Sequence, residues 1–442
     1  MQSDWRQVTL GEFVRLQRGH DLTASEQRPG QFPVMGSAGP NGTHAEFKAF
    51  GPGVVIGRSG ASMGRVHFCE TDYWPHNTCL YVTDFLENNP LFAFYKLAEL
   101  NLARYNSGSA QPSLNRNYIY GMSLWIPSRH IQDQIVRVVH SIDKKIDLYH
   151  RINQTLEAMA QAIFQSWFVD FDPVKAKIAA KAEGRDPLRA AMSAICGKAD
   201  AELDALPPEQ YEQLAATAAL FPGEMEASEL GEIPKGWSHK ALLQLTDKIG
   251  SGSTPRGGKE VYLEEGVALI RSQNVYDSLF VWDGLARISD KAAAQLKGVT
   301  VQEEDVLLNI TGASILRTCV VEPDVLPARV NQHVAIIRAK AGVPPRFIHM
   351  HLLRPDIKNY LLGLNAGASR EAITKAHIES LVLLTPGPEL LSAFQTAISP
   401  LFRQVHCLTR QMRALGELRD TLLPKLLSGE LLVADAIAEA VA

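Results

Sequence analysis

The sequence is poor in cysteine, with 5 in 442 residues, and no apolar run approaches the roughly 18 residues of a membrane-spanning helix. Cys69, Cys79, Cys196, Cys319 and Cys407 form no Cys-x-x-Cys pair. Their scatter and odd number argue against a disulfide framework or a zinc site and suggest reduced thiols, mostly in cores. The opening Met1-Gln2-Ser3-Asp4-Trp5-Arg6 lacks the charged-then-apolar layout of a signal peptide, so a cytoplasmic location is expected. Catalytic signatures are missing as well. Gly258-Lys259 is followed by Glu260 and forms no phosphate-cradling loop, and Gly250-Ser-Gly-Ser-Thr-Pro255 lacks the third glycine of a dinucleotide site. No His-Glu-x-x-His pair occurs; His349 and His351 stand two apart, a spacing that does not face one ligand on a helix, and read as surface or packing residues. No Gly-x-Ser-x-Gly elbow appears. A surplus of basic charge is absent too: 44 Lys and Arg stand against 48 Asp and Glu, a net charge of −4. Bulk charge therefore does not advertise a nucleic-acid partner.

What is present is material for packed cores, 46% hydrophobic residues, in a length that allows about two to four domains. The chain also repeats itself. Residues 108–127 pair without gaps with residues 367–386 through Gly108/Gly367, Ile119/Ile378, Leu124/Leu383 and Pro127/Pro386. Gly60-Ala61-Ser62 answers Gly312-Ala313-Ser314, Arg65 answers Arg317, Asn77 answers Asn331, and Trp5 answers Trp237. Anchors in one order at a slowly drifting offset indicate two diverged copies of a domain rather than a short-period solenoid. Short apolar runs such as Val54-Val55-Ile56 and Val334-Ala335-Ile336-Ile337, bounded by Gly, Asn and Pro, predict strands; residues 90–103 and 345–362 predict helices. Each copy is expected to be an α+β domain.

A different texture follows each copy. Apolar residues from Ile131 to Trp167 recur every three or four positions, which predicts an amphipathic helix; 37 residues make a rod about 55 Å long. Leu391 to Leu426 repeat the pattern. Pro400 implies either a kink or a fresh helix capped by Ser399, and Pro424 implies a bend. Two such stripes in one chain bury each other most simply as an antiparallel coiled coil. The expected organisation is a first domain at 1–128, a first long helix at 129–170, a helical or partly mobile connector at 171–227, a second domain at 228–386, a second long helix at 387–433 and a tail at 434–442. The connector, with 6 basic against 10 acidic residues, holds the acidity of the chain; the domains, at 10 against 10 and 18 against 17, are near neutral.

Polar and basic residues recur in glycine-containing loops of both copies. The first offers Arg58, Ser59, Ser62, Arg65, Ser109, Gln111 and Arg116; the second offers Ser253, Thr254, Arg256, Arg271, Gln273, Asn274, Ser314, Arg317, Ser369, Arg370 and Lys375. Such loops let backbone amides approach a phosphate while side-chain donors and acceptors meet base edges. Near-neutral domains then require a local basic face, or phosphate contacts supplied by other subunits.

Three stretches carry a family resemblance: Ile163-Phe-Gln-Ser-Trp167-Phe-Val-Asp-Phe-Asp-Pro-Val-Lys175, Glu229-Leu-Gly-Glu-Ile-Pro-Lys-Gly-Trp237 and Leu418-Arg-Asp-Thr-Leu-Leu-Pro-Lys-Leu-Leu-Ser-Gly-Glu430. In this order they resemble the specificity subunits of type I restriction-modification systems. The resemblance implies two target recognition domains, each reading half of a split sequence on double-stranded DNA, held apart by two antiparallel helices. It implies partners, two modification subunits and two restriction subunits, to which S-adenosylmethionine, ATP and Mg would belong, with no cofactor, metal or catalytic residue on this chain. Two alternatives differ in class. A docking scaffold would not touch DNA. A self-contained methyltransferase or nuclease fusion would need a motif that Asp172-Pro173-Val174, or Pro355-Asp356 with Glu371 and Lys375, does not provide.

Overall fold

Gly53–Gly57, Gly-Val-Val-Ile-Gly, is buried along its whole length, the environment suited to a short apolar run between turn residues. In the computed structural model, which describes residues 4–108, 111–255, 257–364 and 372–435, it is an inner strand. Its four-stranded antiparallel sheet has the order Arg15–Arg18, Cys79–Asp84, Gly53–Gly57, Val66–Cys69. A three-stranded sheet of Gly39–His44, Phe32–Gly36 and Trp74–Pro75 includes one parallel pair. A ribbon of Trp5–Thr9 on Ser123–Pro127 joins the two ends of the domain. The helix Pro90–Glu99 starts with proline at its first position, where no amide partner is lost, and the Asn89 side chain accepts from the Leu91 and Phe92 amides.

The second copy reproduces this plan. Thr246–Ser251, Val334–Ala339, Val306–Asn309 and Thr318–Val320 form a four-stranded sheet in the same order, and the ribbon pairs Ser238–Ala241 with Val382–Thr385. The correspondence extends to single hydrogen bonds. The Gly64 amide donates to the Gly57 carbonyl and the Leu316 amide to the Asn309 carbonyl, both at 2.8 Å. Gly60 and Gly312 take left-handed φ of +78° and +75° at the turn, where glycine has no side-chain penalty. The helix predicted over 345–362 is instead two, Pro345–Leu353 and Pro355–Gly363. Pro355 forces the preceding Arg354 into extended backbone, φ −62° and ψ 134°, which ends the first helix.

The long helices run Arg129–Phe168 and Pro388–Ser428, the second without interruption at Pro400 or Pro424. Ser399 does not cap a fresh helix; its hydroxyl donates back to the Gln395 carbonyl at 2.6 Å, inside a continuing one. By packing, the chain divides into two compact units, residues 1–151 with 408–442, and residues 152–407. In the first, Ile135 and Val139 share a core with Leu422, Leu426 and Leu427, and Arg419 pairs with Asp143 at 3.0 Å. In the second, Phe164 and Trp167 share a core with Leu391, Phe394 and Ile398. Within each unit an early stretch of one helix meets a late stretch of the other, so the pair packs antiparallel.

The connector is helical: Asp172–Ala182, Pro187–Cys196 and Pro208–Ala219, with a short 3-10 turn at Asp200–Ala205. Arg189 ties it together through Asp200 and Asp204 at 2.9 and 2.8 Å. The three family stretches prove to be packing elements. Phe168 stacks edge-on with Phe347 and Phe394 and meets Trp237 at 5.9 Å, Phe171 also meets Trp237, and Leu422 to Leu427 close the first unit's core. His349 and His351 are buried core residues. All five cysteines are free, with Cys69, Cys79 and Cys319 buried and Cys196 and Cys407 exposed. Among the described residues, no helix is long and apolar enough to cross a membrane.

Candidate nucleic-acid interface

Arg58 leaves the end of Gly53–Gly57 with its backbone held from both sides. Its amide donates to the Thr78 carbonyl at 2.9 Å, and its carbonyl accepts from the Leu114 amide at 2.8 Å. The Arg58 guanidinium donates through Nη1 to the Asn77 carbonyl at 3.3 Å. Arg116 opens the short helix Arg116–Ile119, capped by the Asn115 side chain, and donates through Nη1 to the Leu16 carbonyl at 2.7 Å. Both arginines, with Gln17, Arg18, Asp21 and Asn117, line a cleft of about 610 Å³ in the first unit. Asp21 accepts from Asn77 and pairs with Arg18 at 3.2 Å; the Asn77 bond first, and the Arg18 charge less, hold its carboxyl below the usual range. The cleft thus presents cationic forks and amides in a concave setting, the donor and acceptor chemistry that suits phosphates and base edges.

The other first-unit residues proposed from sequence fall outside this lining. Ser59 bridges Ser113 across the cleft's edge, Ser62 and Arg65 sit on the adjoining turn, and Gln111 is exposed on the loop before Ser113. Ser109, Arg256, Ser369 and Arg370 lie outside the described residues. Sequence reasoning missed Gln17, Arg18, Asn115 and Asn117. Strand pairing places Arg18-Gly19 over Ser251-Gly252, one residue beyond the Trp5/Trp237 offset, so the recurring glycine is the signal that points to this strand end. Both glycines are required by close approach: a Cβ would stand 2.0 Å from the His76 carbonyl oxygen at Gly19 and 1.7 Å from that of Val330 at Gly252.

The second unit arranges matching positions differently. Ile310 replaces Arg58 and keeps its backbone bonds, donating to the His333 carbonyl at 3.0 Å and accepting from the Ile373 amide at 2.8 Å. Lys375 stands in Arg116's place at the start of Lys375–Glu379, exposed and 3.3 Å from Glu379. Thr254 donates to Gln332 at 2.5 Å, Gln332 contacts His333 at 2.9 Å, and His333 meets Thr311 at 2.6 Å, a connected polar row beside exposed Ser253. Arg317 lies 4.3 Å over the Tyr276 ring, and Ser314 is bonded by the Asn309 amide at 3.2 Å. Arg271 and Gln273 both donate to the Gly284 carbonyl. Asn274 is a correction to the sequence reading. It is fully buried, accepts from the Arg271 amide and donates to the Val281 carbonyl at 2.9 Å, so it holds its own loop and has no path to a ligand.

A match to the type I restriction modification DNA specificity domain family covers residues 2–158. Over 363 residues the chain is 31% identical to the type I restriction enzyme HindI specificity subunit of Haemophilus influenzae, covering 78% of this chain and 76% of that one. Identity to the MjaIX specificity subunit of Methanocaldococcus jannaschii is 23% over 349 residues, 77% of this chain and 69% of that one. The crystal structure of an S subunit from M. genitalium shares the fold at a TM-score of 0.55 and 13% identity, over 96% of each chain. Duplicated domain, paired helices and sustained identity to a curated relative agree: the chain belongs to the specificity subunits of type I restriction enzymes.

Proposed function

We propose that this chain reads a split DNA sequence, one half with each recognition domain, on behalf of a type I restriction-modification complex. As a specificity subunit it supplies sequence recognition and not chemistry. The observation that carries the reading is the pair of register-matched sites: one backbone frame, repeated to the hydrogen bond, carries Arg58 and Arg116 in one copy and Ile310, Lys375 and the Thr254–Gln332–His333 row in the other. Equal frames with unequal side chains suit two readers of unequal half-sites rather than of a palindrome. Modification and restriction subunits complete the complex in this proposal, two of each, and S-adenosylmethionine, ATP and Mg belong to them. Near-neutral domains fit that division, because partner subunits then share the phosphate contacts that dominate affinity.

Methylome sequencing of cells with and without this chain, alongside its modification partner, tests the reading. Loss of one methylated motif made of two defined halves and an undefined spacer is the expected result. A methylation pattern or DNA footprint that needs no defined split sequence would overturn it.

A further inference from the structure

We infer that Arg58 reads a guanine in the half-site recognised by the first domain. The inference rests on the DNA-reading function proposed above and adds a residue and a base to it. Contacts that carry no sequence information should be kept between two copies of a domain that read different half-sites; contacts that carry it should change. Position 116 is basic in both copies, Arg116 and Lys375, each at the first turn of an exposed short helix. That is the behaviour of a phosphate contact. Position 58 changes from a cation to Ile310, which is buried at 9% exposure, although the backbone bonds at both positions are the same. Arg18 differs as well, against Ser251, but its guanidinium is already paired with Asp21.

Among the described residues, no carboxylate forms an ion pair with Arg58. Asp21, the acid of the cleft, is taken by Arg18 and Asn77. Arg58 therefore enters the cleft with its backbone clamped and one nitrogen steadied on the Asn77 carbonyl, and among the described residues its remaining N–H groups have no hydrogen-bond partner. A guanidinium held this way offers two parallel donors, which match the N7 and O6 acceptors on the major-groove edge of guanine. Two oxygens of a phosphate present similar acceptors, and the charge-preserving variant separates these sources.

The test uses the complete complex of this chain with its modification partner, in cells, with methylated positions read by sequencing. Arg58→Lys keeps the charge and loses the two-pronged geometry; Arg58→Gln supplies the amide that pairs with adenine. The wild-type motif is expected to contain a guanine in one half at which both variants relax discrimination by about tenfold to hundredfold, with the other half unchanged. Arg58→Gln is further expected to admit adenine there. A phosphate contact would instead leave the motif of Arg58→Lys intact while Arg58→Gln lowers methylation evenly across sites, and that result would overturn the inference. So would an unchanged motif in both variants that melt like the wild type. Should the wild-type complex itself methylate no split motif, the function proposed above fails, and that outcome is separate from any behaviour of the variants.

Discussion

The two recognition domains keep the same strand order and the same turn hydrogen bonds, yet they fill matching buried positions by different means. Where the first domain has Gly53 pressed against the buried Tyr73 ring, the second has Asp305, fully buried and gripped by both nitrogens of the Arg338 fork at 2.8 Å each. Where the first has Lys96, whose ammonium donates to the Leu427 carbonyl at 3.1 Å, the second has His351, buried between Phe164 and Phe347. The backbone frame is thus indifferent to the chemistry that fills it. A fold with this tolerance can change the residues at its cleft as freely as those in its core, which is what a reader of variable sequences requires.

The largest expected effect is on that ion pair. Asp305→Ala leaves the Arg338 guanidinium, three-quarters buried, without its partner and orphans the Gln302 amide that Asp305 accepts at 2.7 Å. A cost of about 3–5 kcal/mol follows. Denaturant unfolding should show the second unit's transition moving far down while the first unit's holds; movement of both would show that the two cores do not melt separately. The acid response sharpens the same contrast. Burial drives the pKa of both His349 and His351 down to about 3, so both are neutral in the fold. Each contributes stability in full above about pH 6.5, its value when unfolded, and that contribution is lost as pH falls towards 3, by about 1.4 kcal/mol per pH unit per imidazole. Melts between pH 7 and 4 should show the second unit failing first, with a shallower pH slope in His351→Phe. An unaltered slope would place the acid sensitivity elsewhere. In the first domain, Gly53→Ala puts a Cβ 2.3 Å from the Tyr73 ring, an overpacking cost of about 1–3 kcal/mol readable as a lower melting temperature.

Much of this architecture was legible in the sequence because it rests on periodicity and on glycine. The three-and-four spacing from Ile131 to Trp167 became the helix Arg129–Phe168, and the Gly60/Gly312 anchor became one turn found twice. The family stretches were legible because they are rich in large apolar residues, and Phe168, Trp237 and Leu426 all lie in the buried cores. The cleft was only partly legible. Arg58 and Arg116 were named from their glycine-rich loops, but Gln17 and Arg18 come from a strand end whose pattern is ordinary and reach the cleft only through pairing with Cys79–Asp84. Asn274 looked like a surface amide because its neighbours Arg271 and Gln273 are polar; only the folded loop shows it turned inward. Long-range pairing decides such cases, and a single chain of letters does not display it.

The smallest expected effect tests the repeat itself. A Cβ added at Gly60 or Gly312 meets nothing within 4 Å, so alanine at either position is opposed only by the left-handed backbone, φ +78° and +75°. That conformation costs an L-residue about 1–2 kcal/mol, partly offset because alanine also restricts the unfolded chain. Gly60→Ala and Gly312→Ala should therefore each lower the stability of their own unit by about 1 kcal/mol, and by equal amounts. Equality is the informative part. Position 64 breaks the symmetry of the same turn: Gly64 has backbone of Ala103 within 2.3 Å of a Cβ, whereas Leu316 tolerates φ +64° with its side chain buried. If the turn is one device used twice, the alanine costs at 60 and 312 match despite that difference four residues away; if Gly312→Ala costs clearly more, the strain already held at Leu316 is coupled to it, and the two turns are alike in shape but not in energy.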